Sequence, residues 1–403
     1  MTKSTAATAR PARYTYRLRA SRTALAALER EWSRCRWVWN ECVALSGRVH
    51  EHNGATGGST TCGFVGLSAA LTRARAATPW LREGACVPQQ QTVRDFANAR
   101  AKALKDIRDG LPHHLRAGMP KPRKKRRTEP TFEYTRRGFR LRDGRLHLAG
   151  GIAVTVVRSR PLPSEPSSVR VYRDGLGHWY ASFVVLVETE PLPSTGAVIG
   201  VDWGVRQIAT TTSDAHDLPH PEHGKAAARR LAHYQRMMSR RATPRGRPST
   251  AGYRKARARA AKAHRKIARQ RLDTARKWAA SVVRDFDALA IEDFRPGFLA
   301  KTPMARKAAD GVIGTTKRIL IEQAHKHGRT VHLVHPAHTT RDCAHCGARA
   351  KHAVPLSNRT HACAACGFTS PRDKNSARVM LVRAGLVPVG VDLGPGSSES
   401  PAE

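Results

Sequence analysis

The chain has 403 residues, 40% of them hydrophobic, which is enough apolar side chain for the cores of two or three domains and excludes a disordered protein. Lys and Arg number 71 against 31 Asp and Glu, so the formal net charge is +40. A compact chain with this charge repels itself unless a polyanion neutralises it, and nucleic acid is therefore the expected partner. The sequence has neither a run of 18 apolar residues nor a basic amphipathic helix with a bulky aromatic face, so no membrane partner is expected.

The N-terminus and the scattered cysteines both indicate a reducing compartment. The segment Met1–Arg10 has no apolar stretch that would direct export. We therefore expect the protein in the cytoplasm, associated with the nucleoid. Four of the eight cysteines lie apart from one another in helix-like or loop sequence and are expected to be inert thiols. They are Cys35, Cys42, Cys62 and Cys86.

The first half of the chain is predicted to combine a β-barrel with a helical lobe. The residues from Tyr14 to Arg19 alternate in character as a strand does, and Ser21 is a candidate N-cap for the helix that follows. Short strands between Gly, Asp and Pro turns recur after Thr131, which suggests a small antiparallel barrel that the first strand joins. The predicted divisions are a disordered N-terminus (1–13), the β-barrel (14–19 and 130–190), the helical lobe (20–115) and a basic linker (116–129).

The second half is predicted to form an α/β domain with long basic helices. Residues 225–277 carry 19 Lys or Arg and one acid, Asp273, in a helical pattern that breaks near Pro244 to Pro248. A single helix is predicted over 305–327. The predicted strands are 198–201, 207–213, 288–291 and 330–334. The predicted divisions are the α/β domain (196–338 and 370–385), a cysteine-containing insertion (339–369) and a disordered tail (386–403).

Four cysteines in the insertion form two Cys-x-x-Cys pairs separated by 16 residues. Each pair can wrap one side of a tetrahedral ion, and the intervening loop is long enough to bring the pairs together. Gly347 and Gly367 directly follow the second cysteine of each pair, as a tight turn requires. The spacing predicts a structural Zn²⁺ site. Its ligands would be Cys343, Cys346, Cys363 and Cys366.

Three acidic residues are candidate ligands of a catalytic metal. Asp202 and Glu292 each end an apolar run, and Asp373 enters a helix shortly after the last cysteine. Phosphodiester hydrolysis with two Mg²⁺ ions about 4 Å apart requires converging carboxylates, because hard cations prefer oxygen ligands. Each acid alone has a simpler explanation, as a turn residue, a surface acid or a helix N-cap. Asp293 would point the opposite way on a strand and is the weaker candidate.

Four motifs in this order resemble the RuvC-like nuclease of the transposon-encoded TnpB (OrfB) family, whose layout also occurs in compact type V CRISPR effectors. They are Gly200-Val201-Asp202-Trp203-Gly204, Ile291-Glu292-Asp293-Phe294, the two Cys-x-x-Cys pairs and Asp373-Lys374-Asn375-Ser376-Ala377. The resemblance is strong over residues 196–385 and looser over the first 190. Trp203 departs from the family pattern, in which an aliphatic residue is usual.

The resemblance implies a fold, an activity and partners. The implied fold is an α/β RNase H-like (RuvC) nuclease domain with an inserted zinc ribbon, plus an N-terminal β-barrel (wedge) that carries a helical recognition lobe. The implied activity is that of an RNA-guided DNA endonuclease, in which Asp202, Glu292 and Asp373 hold two catalytic Mg²⁺ ions. The implied partners are a guide RNA from the transposon end and a double-stranded DNA target, with base pairing reading the sequence.

Two basic segments are expected to contact nucleic-acid backbones, because their charge is nearly all of one sign and internal ion pairs cannot satisfy it. A mobile linker and a solvated helix face are the simpler interpretations. Trp32 and Trp39, at helical spacing, are expected in a core rather than stacked on bases. The basic candidates are Lys121, Arg123, Lys124, Lys125, Arg126, Arg127, Arg254, Lys255, Arg257, Arg259, Lys262, Arg265, Lys266 and Arg269.

Two other functions stay open at this point. A guide-dependent DNA-binding regulator without nuclease activity would be favoured by the loss of a carboxylate, and none of the three is lost. A transposase that joins DNA strands would use similar acidic metal chemistry. Analysis of the products would separate it, because strand transfer creates a new joint.

Overall fold

The computed structural model describes residues 9–125, 128–244, 247–352, 355 and 357–387. These residues divide into two compact units, one from Ala9 to Val187 and one that starts at Glu188. Within the described residues, no helix combines the length and the apolar character that crossing a membrane requires.

The first unit consists of an antiparallel sheet and a group of helices. Its strands are β1 (Arg10–Arg19), β2 (Thr131–Thr135), β3 (Phe139–Arg142), β4 (Arg145–Leu148), β5 (Ile152–Val157), β6 (Ser168–Arg173) and β7 (Trp179–Val187). Its helices are α1 (Arg22–Thr56), α2 (Phe64–Ala77), α3 (Pro79–Arg82) and α4 (Cys86–Arg108), with 3₁₀ turns at His113–Leu115 and Arg136–Gly138.

The strands of this unit form one seven-stranded sheet in the order β2-β6-β7-β1-β5-β4-β3. β1 pairs with both β7 and β5, so the expectation that the first strand joins the later ones is confirmed. The expectation that residues 10–13 are disordered is wrong: Arg10 to Arg13 pair with Val187 to Val184, and the hydrogen bonds of this ladder extend the strand. Tyr134 and Phe183 of the sheet are fully buried with Leu28 of α1 in a shared core.

The predicted N-cap of α1 and the predicted burial of two tryptophans are confirmed. Ser21 caps α1, because its Oγ accepts a hydrogen bond from the N–H of Ala24 at 3.1 Å. Trp32 and Trp39 are buried, and the ring of Trp39 packs edge-on against Phe96 with 5.4 Å between centroids. These two tryptophans are therefore core residues, as expected.

The second unit is built on a mixed sheet. Its strands are β8 (Val198–Trp203), β9 (Gln207–Thr211), β10 (Leu218–Pro219), β11 (Ala288–Glu292), β12 (Thr330–Val334), β13 (Thr360–Ala362) and β14 (Thr369–Pro371). Its helices are α5 (His223–Arg240), α6 (Ala251–Asp285), α7 (Ala305–Gly311), α8 (Ile313–Lys326) and α9 (Arg372–Arg383), with 3₁₀ segments at Asp214–His216 and Pro296–Lys301.

Five strands form the main sheet in the order β10-β9-β8-β11-β12, and β13 and β14 form a separate hairpin. β9 is antiparallel to its neighbours, whereas β8, β11 and β12 are parallel. Side chains of α6 and α8 share a core with one face of the sheet, which includes Ile199 and Ile291. The opposite face, including Ala290, packs against Met380 and Leu381 of α9. The central strands are therefore covered on both faces, as their apolar sequences require.

The single helix expected over 305–327 is wrong, because α7 and α8 are separated at Val312, which has a left-handed φ of 47°. The carboxylate of Asp310 accepts hydrogen bonds from the N–H of Gly224 at the start of α5, at 2.8 and 2.9 Å. At Gly311, a Cβ atom would lie 2.2 Å from Cδ1 of Ile208. These contacts hold the end of α7 against α5 and β9, and the chain turns there before α8 begins.

The expected C-terminal tail lies largely outside the described residues. Its first two residues are described, and both contradict the expectation of disorder. Leu386 and Val387 pack against the cluster formed by Met380 and Leu381, and the N–H of Leu386 donates to the carbonyl of Leu381 at 3.1 Å.

Candidate active site

Asp202 and Glu292 lie side by side at the carboxyl ends of two parallel strands. β8 and β11 pair with Val201 opposite Ile291, so the next residue of each strand comes to the same edge of the sheet. Glu292 is only 6% exposed and Asp202 is partly buried. Carboxyl ends of parallel strands are where open α/β sheets form their sites, so the sheet itself brings these two acids together.

Asp373 reaches the same edge on the first turn of α9. The helix approaches β8 so closely that a Cβ atom on Gly200 would lie 2.0 Å from the carbonyl oxygen of Ala377. Only glycine allows this contact between the backbones. Lys374 fixes the same end of the helix through an ion pair with Asp217 at 2.9 Å. Gly200 thus allows α9 to lie close enough to β8 to bring Asp373 to this edge of the sheet.

All three carboxylates line one cleft of about 1080 Å³. The loop after β8, the segment after β11 and the start of α9 form its walls. Its lining also includes five cationic side chains and several large apolar ones, namely Arg206, Arg295, Lys307, Arg359, Arg372, Trp203, Phe294, Phe298, Leu299 and Met304. The sequence prediction that residues 202, 292 and 373 meet at one edge of a sheet agrees with this arrangement.

Two carboxyl groups of the cleft have raised pKa values. Burial raises the pKa of Asp202 well above its usual value, and the neighbouring Glu292 and Asp373 raise it further. Burial also raises the pKa of Glu292, to about 7. Arg372 donates to Asp373 at 3.3 Å, and Arg359 lies 3.7 Å from the same carboxylate. Buried acids with raised pKa values favour a bound cation, because a cation stabilises their ionised form.

Trp203 holds Glu292 in place through two hydrogen bonds. Its backbone N–H donates to Oε2 of Glu292 and its indole N–H donates to the backbone carbonyl of Glu292, each at 3.2 Å. The indole also packs edge-on against Trp278 of α6, with 5.9 Å between centroids. The sequence marked Trp203 as unusual, but the contact with Glu292 depends on strand pairing across 89 positions and left no local signal.

Asp293 differs from its neighbour Glu292 because its carboxylate forms an ion pair with a lysine. Nζ of Lys317 on α8 lies 2.6 Å from Oδ1 of Asp293, and this hydrogen bond lowers the pKa of Asp293. Asp293 also lines the cleft, but its charge is already paired. That Asp293 is a weaker metal ligand than Glu292 stays a prediction.

Replacing Glu292 by Gln is expected to change how stability depends on pH. The pKa of Glu292 rises from 4.5 to about 7 on folding, so the cost of ionising it is absent below about pH 4.5 and complete above about pH 7. As the pH rises between these limits, the free energy of unfolding of wild type should therefore fall by roughly 3 kcal/mol relative to that of Glu292→Gln. Thermal unfolding at about pH 4 and about pH 8 measures the difference. Mg²⁺ at the higher pH should restore wild type more than the variant, and parallel pH curves would contradict the expectation.

The four cysteines of the insertion form a cluster that can hold a zinc ion. Their sulfurs all lie within 4.8 Å of one another, and within the described ranges this is the only such group of three or more potential metal ligands. Sulfurs at the corners of a tetrahedron about 2.3 Å from one ion lie roughly 3.8 Å apart. The pair Cys343 and Cys366 is 3.8 Å apart, and the pair Cys346 and Cys363 is 3.6 Å apart.

The two cysteine turns have the same backbone geometry. Gly347 and Gly367 have left-handed φ values of 75° and 73°, as the sequence predicted for tight turns. Burial opposes ionisation of Cys363, but the N–H groups of Cys366 and Ala365 outweigh it and lower its pKa to about 7. Zinc binds thiolates, and a zinc ion would also have to ionise Cys343 and Cys366, whose pKa values are raised.

The cysteine cluster is tied to the helix that carries Asp373. Asn375 of α9 is fully buried, and its side chain accepts from the N–H of Ala344 at 3.0 Å and donates to the carbonyl of Asp342 at 2.8 Å. Arg383 at the other end of α9 pairs with the Asp342 carboxylate at 2.5 Å. The position of Asp373 therefore depends on the fold of the insertion.

The basic candidates divide by exposure. On α6, Arg265 is partly buried and the other seven candidates are exposed. In the linker, Lys121, Lys124 and Lys125 are exposed, whereas the guanidinium of Arg123 lies 3.6 Å from the ring centroid of Trp39. Arg123 thus anchors the linker to α1. Arg126 and Arg127 lie outside the described residues. The exposed α6 candidates are Arg254, Lys255, Arg257, Arg259, Lys262, Lys266 and Arg269.

Comparison with solved structures defines the class to which this fold belongs. The chain superimposes on the protein in a structure described as "Cryo-EM structure of the Cas12f1-sgRNA-target DNA complex" with a TM-score of 0.51, over 92% of this chain and 98% of that one. The two chains are 10% identical, so the likeness shows a shared fold. The structure therefore resembles the compact Cas12 effectors.

Sequence comparison is more specific. A family model described as "Probable transposase" (OrfB_IS605) matches residues 182–301, and one described as "Cas12f1-like, TNB domain" matches 314–380. A protein of Streptomyces pristinaespiralis described as "Putative RNA-guided DNA endonuclease" is 31% identical over 318 residues, which are 77% of this chain and 73% of that protein. The chain belongs to the TnpB (OrfB) family.

Proposed function

We propose that this protein is an RNA-guided DNA endonuclease that cleaves target DNA by Mg²⁺-dependent hydrolysis. The observation that carries the proposal is the convergence of Asp202, Glu292 and Asp373 on one cleft in a chain of this family. The Streptomyces relative is described as a putative RNA-guided DNA endonuclease, which supports the same activity here. The net charge of +40 supports a nucleic-acid partner.

The same observations support a domain assignment for this chain. The order β10-β9-β8-β11-β12, with β9 antiparallel and the last three strands parallel, supports a RuvC-like, RNase H-like nuclease domain over 196–338 and 370–385. Residues 339–369 would be its zinc ribbon. The sheet of the first unit would be the wedge barrel, and residues 20–115 would be the recognition lobe. The segment 116–129 would be the basic linker between them.

The carboxylates fit Mg²⁺ because they are oxygen donors that line one cleft, and a bound cation would stabilise the ionised form of the two whose pKa values are raised. When bound there, Mg²⁺ supplies an activated water and stabilises the charge that develops on the phosphate. The chain holds the donors in place: Trp203 fixes Glu292, and the close contact at Gly200 fixes α9 and therefore Asp373. Arg359 and Arg372 flank Asp373 and can face a phosphate in the cleft.

The exposed basic residues would bind the guide RNA, which derives from the end of the transposon, and the double-stranded DNA target. Base pairing with the guide would select the sequence, and the protein would contact the backbones and a short motif beside the target. Lys121, Lys124 and Lys125 in the linker, with the seven exposed candidates of α6, supply these contacts. Arg126, Arg127 and Arg265 belong to the same proposal. Arg123 contributes by holding the linker on α1.

The experiment that tests the function starts from the protein purified with its nucleic acid. Bound RNA is sequenced, and the complex is incubated with Mg²⁺ and a DNA library that contains the matching target. Cleavage beside one short motif supports the proposal. Target binding without cleavage indicates the regulator, and new strand joints indicate a transposase. Absence of bound RNA contradicts the guided mechanism.

Removing two cations from the exposed face of α6 is expected to weaken nucleic-acid binding by a salt-dependent amount. Lys262 and Lys266 are both exposed, and each backbone phosphate that loses its cation lowers the salt slope by about 0.9 for duplex DNA. The double variant Lys262→Gln, Lys266→Gln should therefore lower the slope of log K against log salt by up to about 1.8. Fluorescence anisotropy over a salt series measures it.

The matched control removes two cations that already have acidic partners. Lys277 pairs with Asp273 at 2.9 Å and Arg318 pairs with Glu322 at 2.8 Å. The double variant Lys277→Gln, Arg318→Gln removes the same charge and should leave the slope nearly unchanged. Equal slopes for the two double variants would show that α6 does not contact the backbone through these lysines.

A further inference from the structure

An exposed aromatic side chain stands in the carboxylate cleft without a role in the mechanism above. Phe298 is 59% exposed and Met304 is 45% exposed, and both line the cleft with the three acids. Large apolar side chains beside a polar site are not needed to bind metal ions or phosphates. Apolar surface in such a position indicates contact with an apolar part of the substrate.

Phe298 lies on a segment that is anchored to the core of the second unit. It lies on the 3₁₀ segment Pro296–Lys301, which is anchored by Leu299, a residue 6% exposed in the core of the second unit. Its ring packs edge-on against Phe294, with 5.7 Å between centroids and an interplanar angle of 83°. The hydroxyl of Thr302 donates to the carbonyl of Leu299 at 2.9 Å and closes the segment. One edge of the Phe298 ring is thus supported while much of its surface is exposed.

Exposed cations line the same cleft as this platform. Arg206, Arg295, Lys307 and Arg359 line the same cleft and are exposed, and the side chain of Arg295 is 89% exposed. An aromatic ring among cations is the combination that binds single-stranded nucleic acid, since the ring stacks on a base and the cations contact phosphates. A paired duplex hides its base faces by stacking. The chemistry of the cleft therefore fits a strand whose bases are unstacked locally.

We propose that Phe298 stacks on a nucleobase of the cleaved strand next to the phosphate that enters the carboxylate cleft. Phe298 is then a substrate-positioning residue, which holds the strand so that one phosphate faces Asp202, Glu292 and Asp373. This inference rests on the proposed function, because it concerns how the same cleft takes its DNA. The occupant of the platform is a base, and the surrounding cations contact its flanking phosphates.

A binding measurement tests the stacking without any need for cleavage. The full-length protein, with its bound RNA, is titrated into single-stranded oligonucleotides that each carry one 2-aminopurine, whose fluorescence falls when it stacks. Quenching is expected at one or two adjacent positions with wild type. It should be lost with Phe298→Ala and kept with Phe298→Tyr. Leu333→Ala is the control, because Leu333 is 54% exposed on β12 and does not line the cleft.

A cleavage measurement tests the position of the base. Targets with an abasic site at each position around the cut are compared for wild type and Phe298→Ala. Loss of one stacked base should slow wild type about tenfold at one position, and the same abasic site should cause no further loss in Phe298→Ala. Two results would overturn the proposal. In the first, the abasic site and the Phe298→Ala substitution reduce the cleavage rate independently at every position. In the second, Phe298→Ala retains the position-specific quenching of 2-aminopurine.

The two measurements separate this inference from the proposed function. Cleavage without any dependence on Phe298 leaves the nuclease proposal intact and removes the stacking. Quenching that depends on Phe298 without cleavage in any target supports stacking and removes the nuclease proposal. Equal melting temperatures for Phe298→Ala and Leu333→Ala exclude unfolding as the source of either result.

Discussion

Asp202→Asn is expected to reduce the rate of DNA cleavage by at least about a thousandfold, because a metal ligand supplies several kcal/mol of transition-state stabilisation and each 1.36 kcal/mol is worth about tenfold in rate. Asn has the same shape as Asp but no negative charge, so a cation in the cleft would lose one anionic ligand. The variant should still fold, since the pKa of Asp202 is raised by burial and by its acidic neighbours, and a neutral side chain relieves that cost.

The measurement is single-turnover cleavage of a guide-matched target, together with target binding by gel shift. Binding should be unchanged, which distinguishes the loss of chemistry from the loss of assembly. Asp273→Asn is the matched control, because Asp273 is an exposed acid on α6 that pairs with Lys277. Near-normal cleavage by Asp202→Asn would remove Asp202 from the metal site.

Cys366→Ser is expected to release zinc, unfold the ribbon and abolish cleavage. Metal-coupled folding of such sites is worth about 10–16 kcal/mol, and the loss of one thiolate removes a large part of it. The effect should reach the cleft because the insertion holds α9 through Asn375 and Arg383. Asp373 is carried by that helix.

Zinc content, melting temperature and cleavage rate are measured on the same preparation. Cys86→Ser is the control, because Cys86 is an exposed cysteine outside the cluster. The control should retain full zinc content and activity. A Cys366→Ser protein that lacks zinc but cleaves normally would show that the ribbon does not position Asp373.

Much of the candidate site was predictable because its signals are local. Asp202 and Glu292 each end an apolar run, and such a run predicts a buried strand wherever it occurs. The spacing of the four cysteines is itself typical of a tetrahedral metal site. Gly347 and Gly367 predict tight turns because few other residues readily adopt a left-handed φ. In each case the physical cause lies within a few residues of the feature.

The features that were missed depend on distant partners. The break between α7 and α8 follows from contacts of Asp310 with α5, which lies 86 residues away. The start of β1 at Arg10 is set by pairing with Val187. Phe298 lies in an irregular segment in which no periodic pattern marks an aromatic residue as exposed. Arg123 looked like its basic neighbours, and only the fold places it against Trp39.

The close contact between Gly200 and α9 also has a consequence for biosynthesis. Asp373 follows Glu292 by 81 residues, and at about 5–20 residues per second a ribosome needs roughly 4 to 16 s to make that stretch. During this time β8 and β11 have been synthesised, but the helix that must dock against Gly200 has not. A nascent chain therefore holds two of the three proposed metal ligands and lacks the third. The timing of translation itself delays the assembly of a DNA-cutting centre until the insertion and α9 have emerged.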